Sequence, residues 1–112
     1  MRYLLLIAED ESNVRPDMMP EYITFGEQMT KRGVLKDGLR LRPTTDATTV
    51  RVRDGETLLS DGPFAEIKEQ LGGYYVLECA DLDDAVRWVS KIPSAKYGSI
   101  EVRPLLVMDG MP

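Results

Sequence analysis

Nine consecutive residues, Asp61-Gly62-Pro63-Phe64-Ala65-Glu66-Ile67-Lys68-Glu69, set three carboxylates and one ammonium group beside a Gly-Pro turn and an aromatic ring. No simple helical or strand period accounts for that mixture. If Phe64 anchors the segment to the core, Lys68 and one of Glu66 or Glu69 line a cleft between helices and sheet, where partial burial shifts their pKa values. A lysine and a carboxylate so placed can do acid-base work or orient an anionic ligand. The plainer account uses the same residues. Asp61, Gly62 and Pro63 end a hairpin, with the Asp side chain accepting local backbone hydrogen bonds. Phe64, Ile67 and Leu71 have helical spacing, with Gly72 as a stop, so Glu66, Lys68 and Glu69 are then solvated. The sequence leaves both accounts open.

Two further groups of residues bear on a ligand. Glu101 and Arg103 alternate onto one face with Leu105 and Val107, which is odd for a core-facing strand unless they pair or serve a ligand; a wetted edge strand is the alternative. Arg40, Arg42, Arg51 and Arg53 alternate with Leu39, Leu41, Val50 and Val52. The expectation is the polar face of two neighbouring strands, with an anion site using Arg51 as the other reading.

Other chemistries are excluded or demoted. The chain has no histidine, so Ser-His-Asp and Cys-His nucleophiles and histidine-ligated metals are ruled out. Glu9, Asp10 and Glu11 are adjacent rather than convergent, and Asp81, Asp83 and Asp84 suit a helix N-terminus, so no metal site is expected. Gly72-Gly73 lacks the lysine and hydroxyl of a phosphate loop, and no cofactor is implied. A net charge of -5 argues against a nucleic-acid partner.

The elements that must position these residues fit one domain over residues 1–112, with 43% apolar and 29% charged residues. The one cysteine, Cys79, reads as a core residue, and no secretory signal or membrane span is visible, so a cytoplasmic location is expected. The apolar run 3–8 predicts a central strand buried on both faces. A helix from Met18 follows, with Met19, Tyr22, Ile23, Gly26 and Met29 on its inner stripe, widened by Met18 and Phe25. Asp17 can cap it, Pro20 fits its first turn, and Gly33 stops it.

Residues 34–42 predict a strand interrupted at Asp37-Gly38. Residues 48–53 and 56–59 flank Asp54-Gly55 as a type I′ hairpin. A second buried strand is expected over 73–79. Asp81 then caps a helix with Leu82, Ala85, Val86, Val89 and Ile92 inward, leaving Trp88 partly buried at its rim, and Pro93 ends it. A final strand covers 99–107, with Pro104 marking an edge or bulge. This order predicts an α+β ferredoxin-like sandwich with an inserted hairpin. Both helices cover one face of the sheet. The other face needs a second copy packed sheet to sheet, which predicts a homodimer.

The 61–69 segment, continuing through Gln70-Leu71-Gly72-Gly73-Tyr74-Tyr75, resembles the signature of the DGPF group of the YCII-related proteins. Arg2-Tyr3-Leu4, the stretch 48–52 and Glu101-Val102-Arg103-Pro104 extend the resemblance over nearly the whole chain. It implies a dimeric α/β barrel, a fold also used by small-molecule isomerases, dehalogenases and oxygenases that work between sheet and helices. Some YCII-related proteins carry a His and an Asp proposed as a catalytic pair. Without a histidine, only Asp61 carries over, by its place in the motif, and Ile67 stands where the group often has Thr. The group is also often encoded near extracytoplasmic-function sigma factors, which hints at regulation.

Two classes of function follow. One is a cofactor-independent enzyme or binder of a small anionic or hydroxylated organic molecule, using Asp61, Lys68, Glu69, Arg51 and Arg103, with Glu66 and Glu101 as further ligand contacts. The other is a noncatalytic dimeric regulatory or scaffold module in which the motif only shapes the fold and the interface.

Overall fold

Alternation of side chains along a strand, combined with helices on one side only, sets the architecture. The computed structural model describes residues 1–12 and 19–106, apart from the side chain of Met19. Along them run β1 (Arg2–Glu9), α1 (Met19–Lys31), β2 (Leu35–Arg40), β3 (Thr48–Arg53), β4 (Glu56–Asp61), β5 (Gln70–Glu78), α2 (Leu82–Val89) and β6 (Ser99–Pro104). Short 3-10 turns occupy Thr44–Asp46 and Pro93–Lys96.

Four strands form one sheet in the order β2-β5-β1-β6, every neighbouring pair antiparallel. That is the ferredoxin-like order, with the β3–β4 hairpin inserted between the second and third core strands. β1 is interior, as its apolar run predicts. Its Tyr3, Leu5 and Ile7 are buried against the helices, while Leu4, Leu6 and Ala8 on the opposite, outer face are only half-buried. The inner residues join Phe25, Met29, Leu77, Cys79, Ala85, Trp88 and Ile92 in one core.

β5 carries one extra residue opposite the Ile7/Ala8 step, a bulge at Gly72. The next residue, Gly73, is pinned by backbone: a Cβ there would stand 2.9 Å from the Leu39 carbonyl oxygen. β6 is an edge strand ending at Pro104, which costs no ladder bond there. The expected extension to Val107 and the Asp17 cap lie outside the described residues.

Both helices are rotated from the stripe expected of them. In α1 the buried side chains are Phe25 and Met29, with Tyr22 half-buried, whereas Ile23 is 54% exposed. In α2 the inward positions are Ala85, Trp88 and the following Ile92, while Leu82 and Val86 are largely exposed. Trp88, expected at the rim, is 9% exposed and meets Phe25 edge to face at 6.1 Å between ring centroids. An indole buries more apolar area than Leu or Val, so a short helix turns to sink it.

The termini follow the local rules. The Asp84 N–H donates to the Asp81 carboxylate at 2.9 Å, and the Ala80 N–H donates to Asp84 at 3.0 Å, one residue earlier than in a standard capping box. Gly33, at φ 68°, stops α1, and the Val34 N–H reaches the Met29 carbonyl at 3.0 Å.

The hairpin turn is of the expected type, with φ 52° at Asp54 and 78° at Gly55. β3 and β4 form a two-stranded sheet of their own and pack on no other element to any extent. The arginines of β2 and β3 are therefore not on neighbouring strands, because residues 41–47 carry the chain away from the sheet before β3 begins. Arg42 pairs instead with Asp46 of the 3-10 turn at 2.9 Å.

Candidate functional site

One end of the four-stranded sheet gathers the end of β1, the start of β5 and the start of β6. Lys68 and Glu69 lie there. The Ser99 hydroxyl donates to the Glu69 carboxylate at 2.5 Å, tying the end of the 61–69 segment to β6. The Ser12 hydroxyl and backbone N–H donate to Asp10 at 2.6 and 3.0 Å. Those bonds hold the Asp10 carboxyl below its ordinary range, and the positive charge of Lys68 adds to the effect.

The inner side of the same end carries polar groups between sheet and helices. Opposed and alternating positions place Glu9, Arg40 and Tyr75 on the inner face, below Tyr22 of α1 and Ser94 of the Pro93–Lys96 turn. The Tyr22 hydroxyl donates to the Glu9 carboxylate at a long 3.5 Å. Burial, with the charge of Glu9, pushes the Tyr22 phenol up to about 12, while the Ser94 backbone amide and the charge of Arg40 pull the other way. Burial also raises the Tyr75 phenol.

Ser94 is fully buried, and its hydroxyl has no hydrogen-bond partner among the described residues. An unpaired buried hydroxyl costs free energy. The set comprises a carboxylate, a guanidinium, a phenol kept protonated at neutral pH and an unused hydroxyl. Together these can fix an anionic group, donate to a carbonyl or hydroxyl oxygen, and accept a proton.

The 61–69 segment is neither helix nor core. Phe64, expected to anchor it, is 80% exposed, and Ile67 is also exposed. No short helix forms; Leu71 belongs to β5, and the Gln70 side-chain amide donates to the Ala65 and Ile67 carbonyls at 3.1 and 3.0 Å, holding the loop in shape. Gly62, at φ 94°, makes the turn that closes the hairpin. Its N–H donates to the Ala47 carbonyl at 2.7 Å and its carbonyl accepts from the Thr49 hydroxyl at 2.8 Å. Among the described residues, the Asp61 side chain has no part in these bonds.

The sequence-derived candidates are thus distributed. Asp61 and Arg51 lie on opposite faces of the hairpin, and Glu66 is exposed in the loop that follows. Glu101 and Arg103 face outward from β6, opposite Leu6 and Leu4, and pair with each other at 3.5 Å on an exposed surface. Ser99 shares that face, so Glu69 joins its upper end. Lys68 and Glu69 are the candidates that reach the strand-end region.

Sequence reasoning missed Glu9, Tyr22, Arg40 and Ser94 as a group. The one local signal was Tyr22, a residue whose hydroxyl needs a partner when it sits on an apolar stripe. Elsewhere, an open groove of about 370 Å³ runs between α1 and the Pro93–Lys96 turn and shares no lining residue with this group. No helix among the described residues is long and apolar enough to cross a membrane.

The family model for the YCII-related domain matches residues 1–109. The chain belongs to the YCII-related family. An uncharacterised protein of Rhizobium meliloti is 40% identical over 114 residues, an alignment spanning 94% of this chain and 92% of the relative. For a YCII-related protein the α+β fold with four core strands and two helices is thus accounted for. The strand-end group, however, is built from this chain's own Glu9, Tyr22, Arg40 and Ser94.

Proposed function

We propose that this YCII-related protein binds a small anionic or hydroxylated organic molecule at the strand end, as a binding protein or as a cofactor-independent enzyme. The observation that carries the proposal is the Tyr22–Glu9 pair, with the Ser94 backbone amide and the charge of Arg40 acting on the same phenol. Arg40 receives the anionic group, Tyr22 and Ser94 donate to its oxygens, and Glu9 accepts a proton if a reaction follows. Lys68, whose charge reaches Asp10, stands at the edge of the same region, while Glu69 is held by Ser99 on the outer side of that end.

A thermal-shift panel of small carboxylic and hydroxy acids tests this, with neutral sugars for comparison. A shift from an acid that is lost in Arg40→Ala is the expected result; a full shift in that variant would remove Arg40 from the site, and no shift from any acid would remove the anionic ligand.

The outer face supports a second element of the proposal, a homodimer. Leu4, Leu6, Val76 and Leu39 are directed away from the helices, and no element among the described residues covers them. A second copy supplies that cover, which also suits the reading of the protein as a noncatalytic dimeric regulatory or scaffold module.

A further inference from the structure

Two apolar surfaces of this chain stand uncovered. The first is one face of the β3–β4 arm, where Val50 opposes Leu59 and Val52 opposes Thr57, with Leu59 69% exposed. The second is the outer sheet face, with Leu4, Leu6, Val76 and Tyr74 half-buried and Leu39 60% exposed. An isolated two-stranded hairpin is at best marginally stable in water. Among the described residues the arm nevertheless finds no supporting element.

Nor does the arm fold back over its own sheet. The molecule measures 48 by 43 by 19 Å, and the least dimension holds one helix layer on one sheet layer, about 10 Å apart, with no third layer. Its accessible surface is 8414 Å², against roughly 6,200 Å² for a folded monomer of 12.6 kDa. The excess, about 2,200 Å², is more than the roughly 800 Å² per partner that a stable interface takes.

We propose that the arm of each copy docks on the outer sheet face of a second copy, through Val50, Val52 and Leu59 against Leu39, Tyr74 and Leu71. The inference rests on the homodimer reading above and adds the segment that makes the interface. A six-residue strand reaches roughly 20 Å, enough to cross four strands spaced about 4.8 Å apart. Arg51, Arg53 and Glu56 occupy the opposite face of the arm with Leu58, so docking leaves these charges in solvent, while Asp61 lies on the docking face at the base of the arm, at the rim of the contact. A two-fold axis makes the exchange mutual and covers both kinds of apolar surface at once. Because the arm ends at Gly62, docking also fixes the start of the 61–69 segment.

The test combines light scattering with photo-crosslinking. A photoreactive amino acid replaces Val50 in unlabelled protein, which is mixed with an isotope-labelled copy lacking it. The expected result is a dimeric wild type, crosslinks from the arm to labelled peptides of β2 or β5, and dimerisation weakened by at least about tenfold in Val50→Lys/Leu59→Lys, since unpaired charges would enter an apolar contact. A dimer with crosslinks only within one chain overturns the arm inference and leaves the homodimer standing. A monomeric wild type overturns both. If the double-lysine variant fails to fold, the crosslinks in the otherwise native chain decide the question.

Discussion

Tyr22 and Glu9 meet at 3.5 Å, phenol to carboxylate, where α1 approaches the end of β1. The pair has a consequence for stability at high pH. The folded phenol titrates near 12, above its ordinary value of 10.0, because it is partly buried beside a negative charge. A raised folded pKa contributes stability that is present below about pH 10 and is lost as pH rises toward 12. Tyr22→Phe removes the titrating group, so its stability should fall less steeply over that window than that of the wild type. Denaturant melts across the alkaline range check this, and parallel slopes would contradict it.

Trp88 and Phe25 form the aromatic centre of the helix layer. Trp88→Ala removes that contact and opens a cavity, with an expected cost of about 3–5 kcal/mol. Trp88→Phe should cost distinctly less, because it keeps an apolar ring in the site. Chemical denaturation followed by circular dichroism measures both, since Trp88 is the one tryptophan of the chain and its fluorescence is lost with it.

Two glycines predict opposite responses to the same substitution. A Cβ at Gly98 would collide with the Ala8 carbonyl oxygen of the neighbouring strand, so Gly98→Ala should destabilise by about 1–3 kcal/mol. Gly26 lies within α1 with open space around a Cβ, so Gly26→Ala should stabilise by roughly 0.5–1 kcal/mol. Melting curves of the two variants that moved in the same direction would show that the approach of residue 98 to β1 is misjudged.

The turn that closes the hairpin rests on Thr49 rather than Asp61. Thr49→Val, which removes the hydroxyl that donates to the Gly62 carbonyl, should cost about 1 kcal/mol. Asp61→Asn and Lys68→Ala should each stay within roughly ±0.5 kcal/mol, as expected of exposed side chains. If Lys68 serves a ligand, its loss leaves stability alone and weakens binding.

Features written in neighbouring residues were legible in the sequence. Asp54-Gly55 specified the hairpin because positive φ at two successive positions leaves few other residue choices. The run 3–8 identified an interior strand, and counting helices against apolar faces exposed the uncovered side. Phase was harder: aliphatic Ile23, Leu82 and Val86 suggested stripes that the larger Phe25 and Trp88 overrode. Phe64 looked like an anchor because aromatic rings are usually buried, but among the described residues it stays 80% exposed. Glu9, Tyr22, Arg40 and Ser94 come from four separate segments, so no local spacing connects them before the chain folds. Lys68 and Glu69 were found by local charge density, and they reached only the edge of that group.

The most direct test of the strand-end site is amide mapping by two-dimensional NMR during titration with an acid that shifts the melting temperature. The largest changes should fall on Glu9, Asp10, Tyr22, Arg40 and Ser94, with a smaller one at Lys68. Changes confined to the outer face around Glu101 and Arg103, or to the groove between α1 and the Pro93–Lys96 turn, would contradict it.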